Sequence, residues 1–180
     1  MHYFTGKHPS DKFKFCPTCG VAGFTFNGEK LFTCESCGFT YYINPAAAVA
    51  AIIESSDGRI VLTRRKHEPR AGYLDLPGGF VDIMESAEKA IKREVREELG
   101  IEMTSLRIFA TFPNEYIFND LIYYTCDIGF ICTSDELEIL KPLDDVSEAV
   151  LVRPDDINFN EIGFPSIVNL IRLYMQQKMS

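Results

Sequence analysis

The chain has 180 residues, 46% of them hydrophobic and 24% charged, which suits one ordinary domain with a real core and a small module beside it. Its formal charge of −8 and pI of about 4.9 argue against a general nucleic-acid coat or an anionic membrane surface as partner. No segment approaches the run of roughly 18 apolar residues that a membrane span needs, and residues 1–15 lack the apolar stretch of a secretory signal.

Those first fifteen residues are polar with scattered aromatics and no periodicity, so a loosely held arm is expected. Cys16-Pro17-Thr18-Cys19 follows, and after fourteen residues Cys34-Glu35-Ser36-Cys37. Gly20 and Gly38 come directly after each pair, where a turn that aims two thiolates at one ion needs a left-handed residue. Phe24-Thr25-Phe26 and Lys30-Leu31-Phe32 flank Asn27-Gly28, a hairpin signal. Two knuckles and a hairpin predict a zinc ribbon with Cys16, Cys19, Cys34 and Cys37 as ligands, and paired thiols of this kind imply a reducing, cytoplasmic setting. The ribbon is read first as a structural clip for a segment too short to build its own core. The other reading is a nucleic-acid contact through Lys12, Lys14 and Lys30 with Phe13 and Phe15. The expected division is therefore 1–42 for arm and ribbon, and 45–180 for the larger domain.

Ile43-Asn44-Pro45 makes a hinge. Ala46 to Ile53 is almost purely apolar and reads as a buried strand. Asp57-Gly58 turns the chain into a second strand through Arg65, and a charged loop leads to a brief strand, Tyr73 to Leu76, before a tight turn at Leu76-Pro77-Gly78-Gly79. Most of Gly79 to Ile101 reads as an amphipathic helix, with Ser86 as N-cap, Glu88 in the first turn, Gly100 past its end, and Ala87, Ala90, Ile91, Val95 and Leu99 as its core stripe. Two further strands, Leu106 to Phe112 and Leu121 to Cys132, are expected to be joined by a loop over Pro113 to Asp120. Cys126 and Cys132 read as buried thiols. An acidic connection from Ser134, a short strand from Glu148 and a C-terminal helix from Phe164 to Lys178 complete the pass.

Glu94, Glu97 and Glu98 stand at i, i+3 and i+4, so their side chains project from one part of the helix, where like charges destabilise it. Three acids at the edge of the core stripe call for a compensating cation, and carboxylates that leave room for water and phosphate suit Mg²⁺.

Gly79, five residues, Glu85, seven residues, then Arg93-Glu94-Val95-Arg96-Glu97-Glu98-Leu99-Gly100-Ile101 resembles the Nudix box at every specified position. The resemblance implies an α/β/α sandwich with a mixed sheet, and Mg²⁺- or Mn²⁺-dependent hydrolysis of a nucleoside diphosphate linked to another moiety, such as ADP-ribose or an NAD(H)-type dinucleotide. It implies that Glu94, Glu97 and Glu98 bind metal with the carbonyl of Gly79, that Glu148 lines the same site, and that either Glu98 or Glu148 is the general base. Arg93 is expected to pair with Glu85 and orient the box. A zinc ribbon placed directly before such a domain is similar to the arrangement in NADH pyrophosphatases. Those enzymes carry Ser-Gln-Pro-Trp-Pro-Phe-Pro-x-Ser just after the box, where this chain has Thr111 to Phe118 and no tryptophan anywhere.

Tyr116 and Phe118 are candidates to stack on a base, and Arg64, with Arg65 and Arg70, to hold phosphate. Two other activities compete with small-nucleotide hydrolysis: nucleotide sensing without turnover, and removal of NAD caps from RNA 5′ ends. Ribbon-bearing relatives of this family are often dimers, so a homodimer is expected.

Overall fold

The computed structural model describes residues 6–179, and the expected arm therefore lies partly outside the described residues. The chain divides into two compact units. One holds the described residues up to Pro45 together with Glu115–Tyr124; the other holds Ala46–Asn114 and the residues from Thr125 onward.

In the first unit, residues 6–15 are anchored rather than loose. Pro9–Lys12 form a one-turn helix, α1, whose N-cap His8 accepts through Nδ1 from the Ser10 amide at 3.1 Å. The Lys7 amide donates to the Asp120 carbonyl at 3.0 Å, and its ammonium pairs with the Asp120 carboxylate at 2.9 Å. The His8 ring lies 4.7 Å from Phe26, and Phe13 5.7 Å from Phe32. Anchors of this kind are single side chains, which leave no periodic trace.

Three strands follow, β1 (Phe24–Phe26), β2 (Leu31–Cys34) and β3 (Thr40–Tyr42), in the order β1-β2-β3. The first hairpin closes through a four-residue loop rather than on Asn27-Gly28 alone. The Asn27 side-chain oxygen accepts from the amides of Glu29, Lys30 and Leu31 at 3.0–3.1 Å. Phe24, Phe32, Cys16 and Cys34 make a small core with Phe26, Phe39 and Ile43 packed on it.

The second unit is built on a mixed sheet. Its strands are β4 (Ala46–Glu54), β5 (Ile60–Arg65), β6 (Leu74–Asp75), β7 (Gly78–Phe80), β10 (Val146–Val152) and most of β8 (Ser105–Phe118) and β9 (Leu121–Thr133), whose residues from Glu115 to Tyr124 are counted with the first unit. They run in the order β10-β5-β4-β9-β8, with β6 beside β5 and β7 beside β4. β4 lies parallel to β9 and antiparallel to β5 and β7. Its continuous apolar run is what a strand covered on both faces needs. Val49, Ala51 and Ile53 point to one face and pack with Ala90, Ile91, Val95 and Leu99 of helix α2 (Ala87–Leu99). The opposite face meets helix α3 (Pro165–Lys178): a β-carbon on Gly129 would overlap the Leu170 side chain, and the Tyr174 hydroxyl donates to Glu54 at 2.8 Å. Two helices on two faces of a mixed sheet give the α/β/α sandwich.

α3 begins without a capping side chain of its own. Asp127 on β9 reaches its first turn instead, accepting from Ser166 at 2.5 Å and from Thr125 at 2.6 Å. This gives a buried carboxylate two hydroxyl donors beside the positive end of a helix.

Three further expectations change in the larger sheet. Residues 113–118 are strand, and the chain turns only at Asn119 and Asp120, both in the left-handed region. β8 is an edge strand, where Pro113 is tolerated, and Tyr116-Ile117-Phe118 favour extended chain. Gly78 and Gly79 belong to β7 rather than to a bare turn, because they pair with Ala50 and Val49. Cys126 is exposed, since it alternates with Thr125 and Asp127, which take the inward positions. Among the described residues no helix is long and apolar enough to cross a membrane.

Candidate active site

Helix α2 forms where it does because its ends are chemically marked. The Ser86 hydroxyl accepts from the Lys89 amide at 3.3 Å, and Gly100 takes the left-handed conformation at φ 68°. Its body is rich in good helix formers. Ala90, Ile91, Val95 and Leu99 are buried against the sheet, which fixes the rotation of the helix and turns Glu94 and Glu98 toward β7.

Arg93 ties the acids together. Its Nε and Nη2 donate to Glu85 at 3.1 and 2.9 Å, Nη1 donates to Glu94 at 2.7 Å and to Glu97 at 3.0 Å, and Nη2 also reaches the Phe80 carbonyl at 3.1 Å. A planar guanidinium with several fixed donors can serve that many acceptors at once. The contact with Glu85 holds the Glu85 carboxyl below its ordinary range and raises Arg93.

Glu98 makes a different contact, accepting from the Gly78 amide at 3.0 Å. Burial pushes its carboxyl up to about 8, and Asp75 and Glu94 add a Coulombic push in the same direction. Burial also raises Glu94. Gly79 packs directly on Glu94: a β-carbon there would lie 2.6–2.8 Å from the carboxylate atoms. The result is a set of acids crowded against a glycine backbone, with two of them partly removed from water. Carboxylate oxygens and a backbone carbonyl are the hard donors that Mg²⁺ takes, but among the described residues the ligand atoms that already converge on one point are those of the four cysteines.

Arg64 and Glu148 form a separate pair. They stand opposite each other on β5 and β10, and Arg64 Nε donates to Glu148 at 2.7 Å while Nη1 donates to the Gly72 carbonyl at 2.8 Å. Tyr116 and Phe118 fall in the segment that belongs with the first unit. In that unit the four sulfur atoms of Cys16, Cys19, Cys34 and Cys37 lie within 4.8 Å of one another. Two of the separations, Cys16 to Cys37 at 3.7 Å and Cys19 to Cys34 at 3.6 Å, match the edge of about 3.8 Å expected for a tetrahedron with Zn–S bonds of about 2.3 Å.

The family model of the NUDIX domain matches residues 44–172. The chain belongs to the Nudix family. It is 46% identical over 63 residues to an ADP-ribose pyrophosphatase of Methanocaldococcus jannaschii, across 35% of this chain and 37% of that one. It is 27% identical over 106 residues to the NAD-capped RNA hydrolase NudC of Vibrio vulnificus, across 59% of this chain and 40% of that protein. The chain thus spans about two fifths of the length of these curated relatives. The crystal structure of a NUDIX hydrolase from Nitrosomonas europaea superposes with a TM-score of 0.67 at 23% identity, covering 92% of both chains, which shows a shared fold.

Beside the Nudix box, sequence reasoning missed Asp75. It is 8% exposed, pairs with Arg65 at 3.1 Å, and accepts from the Leu76 amide at 2.9 Å. Burial raises its carboxyl to about 6. Arg65, a phosphate candidate by its sequence, instead serves this pair, the Pro69 carbonyl at 2.8 Å and the Phe164 ring at 5.1 Å. An acidic residue just before the Leu-Pro-Gly-Gly segment was the available signal.

Proposed function

We propose that this Nudix protein hydrolyses the pyrophosphate bond of a nucleoside diphosphate linked to another moiety, ADP-ribose or an NAD(H)-type dinucleotide, and releases a nucleoside monophosphate. One observation carries the reading: Glu94 and Glu98, both raised by burial, are held against the β7 glycines beside Glu97. The names of the two relatives, an ADP-ribose pyrophosphatase and a NAD-capped RNA hydrolase, support it.

Glu94, Glu97, Glu98 and the Gly79 carbonyl would hold Mg²⁺ or Mn²⁺, which supplies charge neutralisation on the phosphates when bound. Arg93 keeps three of the acids aligned and so limits their reorganisation during the reaction. Glu98 and Glu148 are the two candidates to take a proton from the attacking water. Arg64 orients Glu148 through the 2.7 Å contact. Cys16, Cys19, Cys34 and Cys37 are assigned to one structural zinc ion. The active form is a homodimer in this reading, which a monomer mass in light scattering overturns.

The test is a panel of ADP-ribose, NADH, NAD⁺ and nucleoside triphosphates with Mg²⁺ or Mn²⁺, read by release of AMP or its analogue. Absence of turnover across the panel would falsify the reading. The NudC relative favours a second substrate, RNA carrying a 5′ NAD cap. A faster rate on capped RNA than on free NAD⁺ supports that alternative.

A further inference from the structure

We propose that Asp75 is a positioning residue for the Nudix box: anchored by Arg65, it fixes the Leu76–Gly78 backbone whose amide orients Glu98. This rests on the reading above that Glu98 is a metal ligand.

The chain of contacts is short and buried. Asp75 spends its two oxygens in different directions, one on the Arg65 guanidinium at 3.1 Å and the other on the Leu76 amide at 2.9 Å. The Pro77 carbonyl accepts from the Ala51 amide on β4 at 2.8 Å. The Gly78 amide then donates to Glu98 at 3.0 Å. Leu76, Pro77 and Gly78 are thus each held by one backbone hydrogen bond. The last step needs glycine: Gly78 has a φ of 149°, and a β-carbon there would overlap the Val49 carbonyl. Arg65 is itself fixed by the Pro69 carbonyl and the Phe164 ring, so the anchor does not depend on solvent-exposed side chains.

A carboxylate at a metal site gains precision from the donor that sets its orientation. Here that donor is a backbone amide, and a backbone amide is aimed by whatever fixes its peptide plane. Asp75 does this from the N-terminal side and Ala51 from the sheet. A purely structural ion pair would contribute stability without affecting Glu98.

Two variants separate these roles. Asp75→Leu removes both contacts, and Asp75→Asn keeps the shape but turns an amide toward Arg65. The probes are Mn²⁺ affinity on the zinc-replete protein by electron paramagnetic resonance, exchange of the Gly78 amide by NMR, and kcat and KM for ADP-ribose. We expect Mn²⁺ affinity and kcat to fall at least fivefold in both variants, with KM within twofold and faster Gly78 exchange. Mn²⁺ affinity within twofold of wild type in folded Asp75→Asn overturns the proposal, whatever its melting temperature. Should Asp75→Leu fail to fold, Asp75→Asn decides alone. Glu98→Gln is the control. If it binds Mn²⁺ like wild type, the assignment of Glu98 as a ligand fails and this proposal fails with it. If Glu98→Gln loses Mn²⁺ and the Asp75 variants do not, the proposal alone is wrong.

Discussion

The Gly79 backbone lies so close to Glu94 that an added β-carbon would sit 2.6 Å from its Oε1. The neighbour is the far end of a flexible side chain, so Gly79→Ala can be accommodated, but only by moving the carboxylate. The expected outcome is a loss of kcat of at least tenfold with a melting temperature within about 3 °C of wild type. Steady-state kinetics beside a thermal melt will check it. Full activity in Gly79→Ala would mean that the position of Glu94 does not matter.

Arg93→Lys retains the charge and loses the fork that reaches Glu85, Glu94, Glu97 and the Phe80 carbonyl together. Groups that orient ligands in this way are worth roughly 10–100-fold in metal affinity or activity. The variant should fall in that range for Mn²⁺ affinity. A Lys variant indistinguishable from wild type by titration would show that the fork is dispensable.

Much of this was readable from local pattern. Ser86 and Gly100 bracket α2 because caps are chemistry between residues a few positions apart, and the Cys-x-x-Cys pairs likewise declare themselves. Pro113 and Asn114 read as loop because their polarity and the proline outweighed the alternation that follows; only the sheet order, with β8 at an edge, explains why the strand continues. Asp75 showed only as an acid before Leu-Pro-Gly-Gly, and Arg65 and Asp127 left no signal, since Asp75, Phe164 and Ser166 become their partners through tertiary contacts. The pairing of Arg64 with Glu148 depends on the β5–β10 register, which no local window contains.

Glu98 offers a test in pH. Its carboxyl lies at about 8 in the metal-free protein, against an ordinary value of about 4.3. Between those values the folded chain holds a proton that the unfolded chain has released, so this group's contribution to stability falls as pH rises. Metal-free wild type should therefore lose more melting temperature than Glu98→Gln on going from about pH 5.5 to about pH 8.5. Mg²⁺ should stabilise wild type more at the higher pH, where the proton it displaces is nearly gone. Parallel melting curves for the two proteins would contradict the assignment.

Zinc removal should act on one unit. With the metal stripped, the four thiols at 4.8 Å or less repel or oxidise, and small ribbons of this kind lose their fold without the ion. Hydrogen exchange should show protection lost in β1, β2 and β3 and retained in β4 and β9. Native mass spectrometry of the untreated protein should find one zinc per chain. Finding none, with β1–β3 still protected, would assign the four cysteines another purpose.

The first unit is discontinuous in the chain. Lys7 and Lys12 meet Asp120 across the whole length of the Nudix box, and Glu115–Tyr124 belong with the ribbon. A ribosome therefore delivers all four cysteines well before the segment that completes their unit. The two cysteine pairs can meet early, yet the ion pairs of Lys7 and Lys12 with Asp120 must wait until β8 has emerged and turned at Asn119 and Asp120. Synthesis from the N-terminus thus finishes the small unit late, after α2 has already left the tunnel.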